Sequence, residues 1–443
     1  MAKLEANDPL VSFILFGRKI SPQLRAIVSN TGWLFFDRVL RMIGGFILGV
    51  WIARHLGVHQ YGLFNFVAAF VYLFNPLATL GLDNIVVRHL AQNTTPKNVI
   101  LGTTFWLKLV GGVLSLLLAI GSIVLLRSNE SLTLSLVAIG GTSGIFYAFD
   151  TIDLWFQSQV QSKYTVLARN IAFFGIALVK VALLILKAPL IAFAWAGLAE
   201  IGLSAIAMVG MYQLKGDKIG EWRWQGSLAK SLLKEGFPLL LSGFTIMIYM
   251  KIDQIMLGQM VGDRAVGIYA AATRLSEAWY FIPTVIISSV SPALYQARDR
   301  SKTDYYRYIG RLLRLMNAIA VAVALPITVL APQIIQFCYG AAYLEASSVL
   351  VIHIWAAVFV FMGVTTLPYF IAEGLTNLTF QRTFMGAIIN IILNFFLIPP
   401  YQGVGAAVAT VISQAIASYF SHAFHPKTRK LFWLQTRSLL FLR

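Results

Sequence analysis

The chain has 443 residues, of which 58% are hydrophobic and 12% charged, with a mean hydropathy of +0.74. A soluble domain carries about 25% charged residues, so this composition excludes a water-soluble globule and indicates repeated membrane spans. The net charge of +17 would suggest nucleic acid in a soluble chain. Here the basic residues concentrate in loops and tails beside apolar segments, which assigns them to topology and to anionic lipid or substrate. No nucleic-acid partner is expected, and the single cysteine, Cys338, excludes an intrachain disulfide framework.

In chain order, residues 1–30 read as a cytoplasmic or interfacial segment. The apolar run Leu10–Phe16 is short and Pro22 interrupts its continuation, so a cleaved signal peptide is not expected. About twelve spans follow, each near the roughly 20 residues that a bilayer requires. They lie near Thr31–Ile52, Gln60–Leu82, Val99–Leu125, Leu132–Trp155, Tyr164–Leu186 and Pro189–Tyr212, then Gly236–Gly258, Ala265–Leu294, Leu312–Ile335, Ser347–Ile371, Leu378–Ile398 and Gly403–His422. Lys and Arg crowd alternate loops, with Lys163 and Arg169 after the fourth span and Lys215, Lys218, Arg223, Lys230 and Lys234 between the sixth and seventh. By the positive-inside rule both termini are cytoplasmic. The organisation is therefore all-α: a first lobe over 31–212, a cytoplasmic linker over 213–235, a second lobe over 236–422 and a basic amphipathic tail over 423–443. The tail is expected to lie on the cytoplasmic membrane surface, and Leu10–Ile27 is read likewise.

The halves resemble each other. LGVHQYGLFNFVAAF from Leu56 and VGDRAVGIYAAATRL from Val261 both carry two glycines five residues apart at the start of a span, Gly57 and Gly62, then Gly262 and Gly267. Six spans return the chain to the same side, so the halves form a parallel repeat with substrate between them. Gly45-x-x-x-Gly49 and Gly140-x-x-x-Gly144 read as close helix packing.

Charges interrupt the apolar segments. One at the bilayer centre costs roughly 3 kcal/mol, so it is kept where it faces a wet or protein-lined interior. Asp37, Arg38 and Arg41 lie in the first span, where the arginines either bind an anion or snorkel to headgroups. Asp150 and Asp153 share a face of the fourth span, which suits a proton or sodium binder. Glu200 lies mid-span and is a further ion-coupling candidate; Lys108 either joins Glu200 or an aspartate in a static pair or serves the cavity. Lys180 is a further intramembrane charge. In the second half Lys251 and Asp253 sit two residues apart and so face different directions. Arg274 lies near mid-span, either binding substrate or paired with Glu277. His353 reads as structural, and Asn390 and Asn394 as helix–helix glue.

ARHLGVHQYGLFN (Ala53–Asn65), KIDQIMLGQMVGDRAVGIY (Lys251–Tyr269) and NIILNFFLIPPYQGVGAAVATVISQ (Asn390–Gln414) resemble the polysaccharide and O-antigen flippases of the multidrug/oligosaccharidyl-lipid/polysaccharide exporter superfamily. The resemblance covers roughly Asn30 to Tyr419. It implies two six-helix lobes in a V, and movement of undecaprenyl-pyrophosphate-linked repeat units from the cytoplasmic to the periplasmic leaflet of a bacterial inner membrane. It also implies a polysaccharide polymerase or chain-length regulator as partner. An arginine at the "RVL" position is functionally important in the related lipid-flippase branch, and here that residue is Arg38. A pyrophosphate favours arginine, whose fork pairs with two oxygens. The expected substrate cavity comprises Arg38, Arg41, Arg274 and Lys251.

No P-loop and no metal-ligand cluster occur in the sequence, so no cofactor, metal or catalytic site is expected, and energy would come from H+, Na+ or substrate gradients. Two alternatives stand beside the flippase. A drug/cation antiporter would meet repulsion from the arginines. A membrane oligosaccharide polymerase would need a larger outer loop than the one around Gln336–Ala346.

Overall fold

The computed structural model describes the backbone of residues 22–440 apart from Thr94 and Asp217, with side chains from Val39 onward. The expectations for the stretch before Pro22 and for the side chains of Asp37 and Arg38 fall outside the described residues. Helices account for every regular element among those residues. The α-helices of eight residues or more are α1 (Pro22–Tyr72), α2 (Asp83–Gln92), α3 (Lys97–Leu126), α4 (Ser131–Phe146), α5 (Thr151–Ser158), α6 (Lys163–Ile185), α7 (Leu190–Leu214) and α8 (Gly226–Met260). There follow α9 (Asp263–Glu277), α10 (Phe281–Arg300), α11 (Lys302–Tyr339), α12 (Ala346–His353), α13 (Ala356–Ala372), α14 (Thr376–Ala415) and α15 (Arg429–Leu439).

Among the described residues ten helical stretches are long and apolar enough to cross a membrane. Two of them hold a pair of crossings each, because α1 breaks at Gly57 (φ 70°) and α14 at Gln402 (φ 49°). The count of about twelve spans follows, and the protein is a multi-pass membrane protein. Side chains such as Leu125 (87% exposed) and Phe337 (83% exposed) face outward, as a lipid solvent allows. Two expected spans are interrupted. The fourth passes from α4 to α5 through a 3-10 turn at Tyr147–Asp150, and the eighth passes from α9 to α10 through one at Ala278–Tyr280.

The chain forms two compact units. One comprises the chain through Trp51 with Phe70–Phe244; the other comprises Ile52–Ala69 with Thr245–Arg443. In the first, Leu82, Ile85, Ile100, Ile152, Phe156 and Tyr212 are buried together. The stretch 213–235 is packed rather than extended. Trp222 donates to the Tyr212 hydroxyl at 3.1 Å, and Leu232 is buried in the same core. Helix packing here rests on small residues: a Cβ on Gly112 would sit 2.3 Å from the Gly144 carbonyl oxygen. Among the described residues a Cβ on Gly45 would meet nothing within 4 Å, whereas one on its neighbour Gly44 would meet the Phe173 ring at 2.9 Å.

The second unit explains the repeated glycines. Gly57 and Gly262 (φ 117°) both take positive φ at helix junctions, where a side chain is strained. Gly62 and Gly267 lie against each other's segments. A Cβ on Gly62 would fall 1.7 Å from the Asp263 carbonyl oxygen, and one on Gly267 would fall 2.1 Å from that of Val58. Arg54 donates from Nε to the Cys338 carbonyl at 2.7 Å and from Nη2 to that of Phe337, satisfying the end of α11. The tail helix α15 corrects another expectation. Leu431, Gln435 and Ser438 share a face and are buried against this unit rather than turned to a membrane surface. Asn317 donates to Ser438 Oγ at 2.7 Å, Gln435 donates to the Ser418 carbonyl at 2.9 Å, and the Tyr419 and Phe432 rings stack at 4.8 Å. Its polar buried face needs protein partners that lipid cannot provide.

Candidate functional site

The first unit has a half-open cavity of about 200 Å³ whose wall includes Arg41, Tyr147, Asp150, Arg169, Glu200 and Ser204. Each charge reaches it for a local reason. Asp150 ends the 3-10 turn that interrupts the fourth span, and Asp153 lies in the first turn of α5, where the helix dipole favours an acid. Arg169 of α6 joins the two: its Nη2 donates to Asp150 Oδ1 at 3.2 Å and to Asp153 Oδ2 at 3.0 Å. Gln157 adds a bond to Asp153 Oδ2 at 2.9 Å. Glu200 of α7 holds Lys180 of α6 at 2.6 Å. The structure thus brings Arg41, Asp150 and Glu200 to one cavity, with Asp153 just behind it.

Lys108 is buried and donates to Asp83 Oδ1 at 2.6 Å. Of the two partners open to it, an aspartate is the one it takes, and Glu200 is held by Lys180 instead. Sequence reasoning missed Asp83 and Arg169. Arg169 counts as a loop cation by position, but α6 begins at Lys163 and carries it a turn and more into the bundle. The signal available was its spacing after Asp150 and Asp153, across a short helical hairpin.

The second unit holds a different arrangement. Asp253 is 6% exposed and accepts from Tyr269 Oη at 2.7 Å, Asn394 Nδ2 at 2.6 Å and Thr410 Oγ1 at 2.5 Å. Asn394 also donates to Asn390 Oδ1 at 3.0 Å, and Asn390 to Ser413 Oγ at 3.4 Å. The charges acting on Glu277 are Lys251 and Asp253. Arg274 lies in the last turn of α9, just before the break, where a cation suits the helix C-terminus. His353 is buried and meets Ser276 Oγ at 2.6 Å through Nδ1. Arg382, a further charge that sequence reasoning did not single out, lies 3.0 Å from His422 Nε2 and 4.5 Å from the Phe370 ring centroid. Among the described residues no group of His, Cys, Asp and Glu could hold a metal ion.

The fold is that of known transporters. The structure is similar to a lipid II flippase, MurJ, in an inward-closed conformation, with a TM-score of 0.72 at 16% identity over 93% of this chain and 91% of that one. It is also similar to an inward-facing multidrug resistance transporter of the same superfamily, with a TM-score of 0.70 at 16% identity over 90% of this chain and 94% of that one. A superfamily transporter from Pyrococcus furiosus has a TM-score of 0.63 at 15% identity over 94% of this chain and 95% of that one. In sequence the chain is 30% identical over 234 residues to the probable flippase AglR of Haloferax volcanii, which covers 50% of this chain and 47% of the relative. The match therefore spans about half the length of that curated relative. A MatE family model matches residues 238–396. A model described as polysaccharide biosynthesis protein matches residues 27–298, more than half of the 443 residues. The chain belongs to that polysaccharide biosynthesis family.

Proposed function

We propose that the protein is a flippase that carries undecaprenyl-pyrophosphate-linked oligosaccharide, of the O-antigen class, from the cytoplasmic to the periplasmic leaflet of a bacterial inner membrane. The observation that carries this reading is a charged cavity inside one apolar unit of a polysaccharide-biosynthesis family member. Arg41 and Arg169 supply guanidinium groups that suit phosphate oxygens, and intramembrane charge is retained on transport routes. Arg38, Arg274 and Lys251 complete the proposed substrate path. Both termini are cytoplasmic in this reading, from the Lys/Arg alternation, and the two lobes alternate access around the substrate. The lobes proposed are 31–212 and 236–422. Coupling to H+ or Na+ would use Asp150, Asp153 and Glu200, with a polymerase or chain-length regulator taking the exported units.

A multidrug/cation antiporter is the second reading. The MatE match over residues 238–396 favours it, and so does the carboxylate of Asp253, which is held by neutral donors. One experiment separates the two. The gene is expressed in a flippase-deficient strain, and glycan export and drug efflux are both measured with protein levels. Export restored by the wild type, and reduced at least about tenfold in Arg41→Ala or Arg274→Ala at equal protein level, supports the flippase. Drug efflux without glycan export overturns it.

A further inference from the structure

In and around the cavity of the first unit the charges of the described residues balance. Arg169 stands with Asp150 and Asp153, Lys180 with Glu200, and Lys108 with Asp83. Arg41 completes four cations against four carboxylates among these described residues. In such a set each carboxylate already has a cation beside it, and an arriving pyrophosphate adds two or so negative charges that compete for those cations. Something must give, and Arg169 is placed to do so. Its Nη2 is shared between two carboxylates, at 3.2 Å and 3.0 Å. A phosphate offers a guanidinium two parallel bonds to one group, a stronger geometry than a shared contact. Asp150 and Arg169 both line the cavity, whereas Asp153 lies behind them at 8% side-chain exposure. An anion in the cavity therefore meets Arg169 without displacing any backbone.

We propose that Arg169 is the anion-binding residue of this cavity, held in reserve by Asp150 and Asp153, and that these two carboxylates take up a proton from solvent when a pyrophosphate takes the guanidinium from them. The inference rests on the flippase reading and names the group that grips the substrate. Without Arg169 the two aspartates are like charges one helical turn apart, and a proton shared between them removes that repulsion. On α2, which packs against α5, Arg88 and His89 stand with Glu235. Tyr147 lies on the same turn as Asp150, Lys108 on α3 is already committed to Asp83, Glu200 on α7 is committed to Lys180, and Arg41 is on α1. The helix α4 that precedes the turn carries no titratable side chain.

The test uses the full-length protein in nanodiscs, with farnesyl pyrophosphate as probe and a pH-indicator dye in weak buffer. The wild type should take up about one proton per probe bound, and its affinity should rise on going from about pH 8 to about pH 6, by up to roughly tenfold per unit. Asp150→Asn/Asp153→Asn should bind without proton uptake and without that pH dependence. Arg169→Ala should lose at least about tenfold in affinity, and Arg169→Lys less. Because Arg169→Ala leaves two aspartates unpaired, the triple variant Arg169→Gln/Asp150→Asn/Asp153→Asn is the folded control, and it should not bind. Binding with no proton uptake, or unchanged binding by the triple variant, overturns the inference and leaves the flippase reading standing. Absence of wild-type binding throughout the pH range overturns both.

Discussion

The two units handle buried negative charge in opposite ways. In the first, the described carboxylates near the cavity each face a cation: Asp83 with Lys108, Asp150 and Asp153 with Arg169, Glu200 with Lys180. In the second, Asp253 is surrounded at contact range by two hydroxyls and an amide. An ion pair is a exchangeable arrangement, because another charge can compete for either partner. A ring of neutral donors has nothing to hand over; it stabilises the carboxylate by oriented dipoles and leaves its charge unmatched at contact range. The first unit is therefore suited to trading partners with another charge, and the second to holding one carboxylate fixed.

The contrast predicts which substitutions hurt most. Lys108 is 1% exposed and Asp83 52% exposed, so the members of that pair are not equivalent. Asp83→Ala strands a buried ammonium and should cost about 3–5 kcal/mol. Lys108→Met strands only a solvated carboxylate and should cost much less. Thermal unfolding of the detergent-solubilised protein, read alongside expression, measures the asymmetry. Equal losses would mean that the pair does not depend on burial, and the account of the first unit would break. For Asp253 the expected losses are smaller. Asp253→Ala leaves buried Tyr269 and Asn394 donors unmatched, at about 1–3 kcal/mol, while Asp253→Asn keeps an acceptor in place and should cost less. A loss for Asp253→Ala beyond that for Asp83→Ala would place a cation in the cradle and erase the contrast.

The spans were legible in the sequence because lipid imposes a length and an apolar composition that water does not. The double glycine was legible as a repeat, but not as a contact: nothing in the spacing of Gly62 and Gly267 says that the two segments press backbone to backbone. Intramembrane charges announced themselves one by one, and their partners did not. Glu200 finds Lys180 and Asp150 finds Arg169 across neighbouring helices, at separations that rotation about each helix axis decides. The face of α15 was misjudged for a similar reason. Amphipathicity says that one face is buried, and only Gln435 and Ser438 on that face hint that its cover is protein rather than lipid.

The smallest effect expected is at Arg264 and Glu345 in the second unit. Their two bonds, 3.0 Å and 2.9 Å, form a fork-to-fork pair better aligned than the shared contact of Arg169. Yet the side chains are 56% and 65% exposed. Water screens such a pair and ordering two long side chains opposes it, so Arg264→Ala should change stability by no more than about 0.5 kcal/mol. A double-mutant cycle with Glu345→Ala should give a coupling of similar size, falling as salt is raised. Set beside Asp83→Ala, this asks whether burial or alignment ranks the charges of this protein. If the exposed pair couples as strongly as the buried one, alignment wins. The argument that Arg169 yields its carboxylates to a better-aligned phosphate would then gain force, while the asymmetry expected of Lys108 and Asp83 would lose its basis.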